Sequence, residues 1–248
     1  MAPKTMLTGL LALLLNAPVA VGLTQSQYET PRKLQEIQGE RLAKLLAKEL
    51  EKAESFLLRG EAEKAFKKAS SVSRRITDNV IGGAGVGVFF GQAMAIQAIA
   101  EIELGQHDEG LWRWQIATQF FPELVAETDL AAFGEAGEYL ASPPPREQAA
   151  KDTTRKEADF QPPRWTHQPD PRWPRAKYHT PTVVVAVSVV MGADGKLRNP
   201  KIIDADGELT MVFALLEAMR RWEFDPATIE GKPVSVTMRQ TFRFLVRG

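Results

Sequence analysis

The chain has no cysteine among its 248 residues and only three histidines. Without thiols it can form no disulfide, no thiolate nucleophile and no cysteine-bound zinc or iron–sulfur site. His107, His167 and His179 give no metal-ligand or catalytic spacing, and no Gly-x-Ser-x-Gly or phosphate-loop motif is present. We therefore expect a protein that is not an enzyme and that needs no cofactor or metal.

The chain also lacks an excess of charge of either sign, since 31 Lys and Arg balance 31 Asp and Glu. The charges are unevenly spread: residues 23–141 carry 13 basic against 18 acidic residues, and residues 164–248 carry 13 against 9. This asymmetry favours two domains with different surfaces. It is too mild for a nucleic-acid-binding surface, so we expect no nucleic acid as a partner.

Beyond the N-terminus, no long hydrophobic run occurs. Lys4 precedes the apolar stretch Met6–Leu15, and the small residues of Ala20–Gly22 follow it. This order predicts a signal peptide over residues 1–22, cleaved after Gly22, and hence export. Asn16 and Pro18 interrupt the apolar run before it reaches the roughly 20 residues of a membrane-spanning helix. The alternative is an uncleaved anchor that tethers the chain to the inner membrane at this end.

Residues 23–141 show the three- and four-residue apolar spacing of amphipathic helices. Thr30 and Pro31 mark the expected start of the first helix, and Gly60 marks its end. Four further helices are predicted. The second runs from Glu61 to about Ile76, and the third ends at Leu104 and is preceded by the glycine-rich stretch Gly82–Gly87, which we expect to be flexible. The fourth ends at Pro122, and a less regular fifth covers Glu123–Leu140.

These helices are predicted to form pairs. Leu57–Ala69 and Ile102–Trp114 share two apolar residues among the three positions before a glycine, and a small residue five positions after that glycine. This resembles the tetratricopeptide pattern, although the glycines lie 45 residues apart rather than about 34 and only two units are present. We predict a tetratricopeptide-like domain over residues 23–141. Of the neighbouring Trp112 and Trp114, one is expected in the core and the other at its rim.

Residues 142–169 are predicted to be a linker. Eight of the 16 prolines of the chain lie between Pro143 and Pro174, and polar residues fill the spaces between them. Proline fixes φ and prevents a helix from continuing, so we expect an extended, solvated segment.

The C-terminal part changes to a β pattern. Thr182–Met191 predicts a strand covered on both faces, Gly192–Lys196 contains an Asp-Gly turn, and Leu197–Asp204 is the expected return strand, in which Pro200 requires an edge or a bulge. A helix over Leu209–Trp222 and a final strand from Val234 follow. The predicted fold is an all-α helical-hairpin domain followed by an α+β domain, in which a three-stranded antiparallel sheet packs on one helix.

In the final strand, alternation predicts two different faces. The inward residues are expected to be Val234, Val236, Met238, Phe242 and Phe244, and the outward residues Ser235, Thr237, Arg239, Thr241 and Arg243.

Four segments together resemble the C-terminal domain of the TonB family over residues 170–248: Asp170–Lys177, Val183–Leu197, Met219–Ala227 with its Trp-x-Phe-x-Pro corner, and Gly231–Phe244. Trp173 replaces the tyrosine of the family's first motif. The Ser-x-x-x-His motif of the TonB membrane helix is missing, because no histidine precedes His107. The long Pro-Glu/Pro-Lys spacer is missing too. The resemblance is therefore one to the C-terminal domain alone.

The resemblance implies peptide binding by strand addition. In TonB, the last strand lies at a sheet edge and pairs with a short extended segment of an outer-membrane receptor. Carried over, the peptide-binding residues are Gln168, Pro169, Val234, Ser235, Val236, Thr237, Met238, Arg239, Gln240, Thr241 and Phe242. The implied partners are envelope proteins such as TonB-dependent outer-membrane receptors, and the implied location is the periplasm of a Gram-negative bacterium.

Other interpretations stay open at this point. One is a membrane-tethered transducer component that works with a proton-driven motor, and another is an envelope adaptor that binds through its helical domain only. Arg239 and Arg243 are equally suited to protecting the strand from aggregation. Contact with the membrane is expected only through an N-terminal tether, and a homodimer is not excluded.

Overall fold

The computed structural model describes residues 32–79, 84–120, 128–143, 159–173, 182–206 and 209–245. The predicted signal peptide, the predicted helix start at Thr30 and Pro31, and His179 lie outside these ranges. The chain divides into two compact units, Met1–Pro143 and Pro144–Gly248. Within the described ranges, none of the helices combines the length and apolar character needed to cross a bilayer.

The N-terminal unit consists of antiparallel helix pairs, as the periodicity predicts. The third helix begins at Ala84, inside the glycine-rich stretch that was expected to be a flexible entry to it. The fourth ends at Phe120, two residues before Pro122, and a short 3₁₀ turn and a final helix cover part of the predicted fifth. The helices are α1 (Arg32–Leu57), α2 (Ala62–Asn79), α3 (Ala84–Glu103), α4 (His107–Phe120), the 3₁₀ turn Leu130–Phe133, and α5 (Gly134–Ala141).

The turns within the two pairs have the same backbone hydrogen bonds. Gly60 and Gly105 have φ of 71° and 79°, a conformation that glycine adopts without strain. After each helix, the glycine N–H donates to the carbonyl three residues back, and the next N–H donates to the carbonyl five residues back. These are the bonds of a glycine-terminated helix end. The two sequence units therefore fold into matching turns.

The small residue five positions after each glycine lies where two helices approach closely. Ala65 is completely buried. At Gly110, a Cβ atom would lie 2.7 Å from the carbonyl oxygen of Ala98 and from Cδ1 of Ile102 in α3. The backbone of α4 thus approaches α3 at a distance that only glycine permits.

We expect Gly110→Ala to lower the free energy of unfolding of the helical unit. The added methyl group overpacks the α3–α4 contact, which costs about 1–3 kcal/mol, and this outweighs the gain of about 1 kcal/mol in helix propensity. Urea unfolding monitored by far-UV circular dichroism measures the difference. Ser71→Ala, at an exposed position of α2, is the control and should change stability by less than about 0.5 kcal/mol. Equal stability of the two variants would contradict the close approach.

Trp112 and Trp114 are both buried, at 3% and 6% exposure, so the expectation of one core and one rim tryptophan is wrong. The reason is that α4 is covered on more than one side, with Leu111, Ile116 and Ala117 buried around them. The same helix carries Arg113, whose guanidinium binds both carboxylate oxygens of the buried Glu101 of α3 at 2.9 Å. An ion pair therefore lies inside the unit.

The C-terminal unit contains the predicted three-stranded antiparallel sheet and its helix. In the main sheet, Thr182–Met191 lies between Leu197–Asp206 and Val236–Leu245, and the helix Leu209–Met219 is buried over most of its length. Five short strands not predicted from the sequence form two further small sheets, one of three strands and one of two. The elements are β1 (Phe160–Gln161), β2 (Arg164–His167), β3 (Thr182–Met191), β4 (Leu197–Asp206), α6 (Leu209–Met219), β5 (Glu223–Asp225), β6 (Ala227–Ile229), β7 (Lys232–Val234) and β8 (Val236–Leu245).

The central strand β3 is buried on one face and half-buried on the other. Val185, Val187, Val189 and Met191 are at most 1% exposed, whereas the alternate residues from Val184 to Val190 are of intermediate exposure. The strand was expected to be covered on both faces. Within the described ranges, the helix covers one face of β3, and the other face stays partly exposed.

The proline-rich segment also differs from its prediction as an extended, solvated linker over residues 142–169. Its second half pairs with the C-terminal unit: β1 runs antiparallel to β6, and β2 runs antiparallel to β5. Trp165 gives the physical reason, because its ring makes edge contacts with Trp222 and Phe224 at centroid distances of 5.3 and 5.8 Å. Burying these three rings together stabilises a segment that its composition alone would leave in solvent.

Candidate functional site

The last strand, β8, lies at an edge of the main sheet. It pairs only with β3 in that sheet, and the register continues without a shift over ten residue pairs from Thr182–Leu245 to Met191–Val236. An edge strand leaves every second backbone N–H and C=O group without a partner on its open side. In the described part of the chain, β8 therefore offers a straight row of such groups.

The opposite edge of the same sheet is β4, and it is irregular. Its pairing with β3 shifts register twice, between Ala186 and Val187 and between Ser188 and Val190. Pro200 lies within it, and Asn199 has a φ of 50°. The edge and the bulge expected from Pro200 are thus both present. Proline and bulges prevent further strand pairing, so β4 is protected, whereas the described residues of β8 contain neither a proline nor a register shift.

The side chains of β8 alternate as predicted. Val236, Met238, Phe242 and Phe244 are half-buried on the helix side of the sheet, whereas Thr237, Arg239, Thr241 and Arg243 are exposed. Gln240 has the phase of the apolar residues but is exposed. The edge therefore has one partly apolar side and one basic, hydroxyl-bearing side.

The predicted binding strand from Val234 to Phe242 is shorter at its start in the structure. Val234 belongs to β7 and pairs with Ala227 in a different sheet. Ser235 lies between the strands and is buried at 7%, although it was expected to face outward. Its Oγ accepts a hydrogen bond from the backbone N–H of Ala193 at 3.0 Å. This contact fixes the start of β8 against the β3–β4 turn. Val234 and Ser235 are therefore not part of the open edge.

A row of aromatic rings connects β8 to the rest of the unit. Trp222 contacts Phe242 at 5.1 Å, Phe242 stacks on Phe244 at 6.4 Å, and Trp173 contacts Phe244 at 4.9 Å. Trp222 and Phe224 belong to the Trp-x-Phe-x-Pro corner after the helix, and both are buried. Sequence reasoning missed Trp165 as a member of this row because it lies in the proline-rich segment.

Gln168 and Pro169 lie near this row but do not form the edge themselves. The carbonyl oxygen of Pro169 accepts a hydrogen bond from the indole N–H of Trp222 at 3.2 Å, and Gln168 beside it is exposed. Trp222 in turn contacts Phe242 of β8. The side chain of Trp222 thus connects Pro169 to the edge strand.

Residues 169–246 match the family model described as Gram-negative bacterial TonB protein C-terminal. The C-terminal unit is similar to the TonB C-terminal domain. The resemblance found in the sequence is confirmed over nearly the same residues. Neither a curated protein nor a solved structure matches the chain. The match includes α6, the Trp222 corner and the whole of β8, and it does not extend to the helical unit.

The similarity to TonB indicates an envelope protein of Gram-negative bacteria that takes part in TonB-dependent processes and interacts with other envelope proteins. The segment that decides between a cleaved signal and a membrane tether lies outside the described residues. No group of three or more potential metal ligands occurs in the described ranges.

Proposed function

We propose that the C-terminal unit binds an extended segment of an envelope partner, such as an outer-membrane receptor, by strand addition to β8. In this proposal the protein acts in the periplasm, serves TonB-dependent transport and has no catalytic activity. The observation that carries it is the open, regular edge of β8 in a domain similar to that of TonB. A partner strand supplies the N–H and C=O groups that this edge lacks.

The two sides of β8 define the guest that fits it. Next to Val236, Met238, Phe242 and Phe244, the guest presents apolar side chains at alternate positions. On the other side it faces Thr237, Arg239, Thr241 and Arg243, where acidic or hydroxyl side chains are favourable. The guest is therefore an alternating apolar and acidic or hydroxylated segment.

In the same proposal the helical unit is a second protein-interaction domain of tetratricopeptide type. Its matching glycine turns and the close helix approach at Gly110 support this assignment. Helix pairs of this kind present surfaces for binding other proteins.

Cross-linking from single cysteines tests the strand addition, because the natural chain has no cysteine that would compete. Thr237→Cys and Thr241→Cys place a thiol at two exposed positions on the same side of β8. Each variant carries a short photoreactive thiol label and is mixed with solubilised outer membranes. We expect both to label one protein at two residues that lie four apart, because paired strands keep the same two-residue period.

Lys201→Cys is the matched control, since Lys201 is equally exposed but lies on the irregular edge strand β4. We expect no discrete adduct from this position. Strand addition is wrong if Lys201→Cys labels the same partner as efficiently, or if the two β8 positions label residues that are unrelated in sequence.

A further inference from the structure

The helical unit is divided into a basic half and an acidic half. Residues 32–79, which contain α1 and α2, hold 12 Lys and Arg against 8 Asp and Glu, a net charge of 12 − 8 = +4. Residues 84–141 hold one Arg against 9 Asp and Glu, a net charge of 1 − 9 = −8. The small net negative charge of the helical unit is therefore the sum of a basic half and a more strongly acidic half.

The basic charges of α1 form a stripe on the side opposite the core. Four exposed cations, at positions 41, 44, 48 and 52, follow one another at steps of three or four residues. Such steps place side chains on one side of a helix. Leu46, Leu50, Ala53 and Leu57, which are buried, lie on the other side. The stripe therefore faces away from the core of the helical unit.

The neighbouring helix α2 extends this stripe. Lys67 and Arg74 are exposed and lie seven residues apart, on the same side of α2. The helices α1 and α2 pack against each other, and Lys68 of α2 binds Glu49 of α1, so the exposed sides of the two helices adjoin. We call this surface the basic face; it consists of Arg41, Lys44, Lys48, Lys52, Lys67 and Arg74.

Carboxylates offset the basic face only in part: the exposed Glu51 lies three residues after Lys48, and the exposed Glu63 lies four residues before Lys67. Glu49 is bound to Lys68, and Glu61 is bound to Arg59 and Lys64. The hydrogen bond from Lys68 keeps the pKa of Glu49 below its ordinary value. Among the described residues, none of the six cations has a carboxylate within ion-pair distance. Their charge is therefore available to an external anion.

An apolar side chain projects among these cations. Leu45 is 42% exposed and lies four residues after Arg41 and three before Lys48, on their side of α1. Cations combined with an exposed leucine on one helix side are typical of surfaces that lie on anionic lipid, since the charges reach the head groups while the apolar chain enters the boundary below them.

We propose that the basic face of α1 and α2 lies on the surface of an anionic phospholipid bilayer. The acidic half of the same unit is repelled by that surface, so the unit lies on the membrane in one orientation. This contact is independent of strand addition at β8.

Vesicle binding of the purified full chain tests the proposal. The measured quantity is the ratio of binding to phosphatidylglycerol-containing vesicles over binding to pure phosphatidylcholine vesicles, which cancels any contribution of the N-terminal apolar segment. The variant Lys44→Gln, Lys48→Gln, Lys67→Gln should lower this ratio about a hundredfold, because each cation near an anionic surface contributes roughly a factor of five. High salt should remove the preference in the natural chain.

Lys201→Gln, Arg221→Gln, Lys232→Gln is the matched control: it removes the same charge from three exposed positions of the C-terminal unit. We expect its ratio to equal that of the natural chain. The proposal is wrong if the natural chain shows no preference for anionic vesicles, or if the two triple variants lose equal amounts of binding. It is also wrong if the basic face instead binds a second copy of the chain. In that case the Lys44→Gln, Lys48→Gln, Lys67→Gln variant would lose self-association, and lipid would have no effect.

Discussion

Trp222→Ala is expected to lower the free energy of unfolding of the C-terminal unit by about 3–5 kcal/mol, the cost of truncating a buried aromatic side chain. The indole is only 6% exposed and contacts both Trp165 and Phe242. Its removal leaves a cavity between the β1–β2 segment and the edge strand. Native-state hydrogen exchange of the β3 amides reports this loss, since these amides lie at the centre of the main sheet.

Trp222→Phe is the matched variant. It retains an aromatic ring but loses the hydrogen bond to the carbonyl oxygen of Pro169. We expect a smaller loss, to which the missing hydrogen bond contributes about 0.5–1.5 kcal/mol. If the alanine and phenylalanine variants were equally stable, the ring contacts of Trp222 would not be what holds this side of the unit together.

Arg113→Met is expected to destabilise the helical unit by about 3–5 kcal/mol. The Arg113 guanidinium is 8% exposed and the Glu101 carboxylate 2% exposed, so removing the cation breaks the ion pair of a buried carboxylate. The guanidinium also lies 5.8 Å from the centre of the Phe66 ring of α2. Urea unfolding followed by far-UV circular dichroism measures the effect.

The double variant Glu101→Leu, Arg113→Met separates the charge from the packing. Replacing both partners of a buried ion pair by apolar residues of similar volume is often neutral or stabilising. We therefore expect the double variant to recover most of the lost stability. If it were as unstable as Arg113→Met alone, the loss would arise from packing around residue 113 and not from the broken ion pair.

The order of helices and main strands followed from local patterns. The glycines at positions 60 and 105 ended helices, and the Asp-Gly turn after Met191 joined β3 to β4, because such residues act through the backbone of their immediate neighbours. The burial of both Trp112 and Trp114 was not predictable in this way. It depends on how many elements surround α4, and helical spacing describes one helix at a time.

The proline-rich segment shows the same limit. Arg164 pairs with Asp225, 61 residues away in sequence. A strand of two or four residues gives no detectable alternation, and the prolines around it indicate an unstructured stretch. Only the presence of Trp222 and Phe224 as a surface for Trp165 decides that this segment folds onto the unit.

The sequence by itself determined the helical-hairpin and α+β architectures of the two units. It also determined the alternating faces of the last strand and the resemblance to TonB. These are properties of the side chains along a single segment. Only the tertiary structure decided that β8 is an edge, that Val234 and Ser235 do not belong to it, and that β4 is the protected side of the sheet. The physical reason is that alternation records which face of a strand is apolar, whereas an open edge depends on which strands lie beside it.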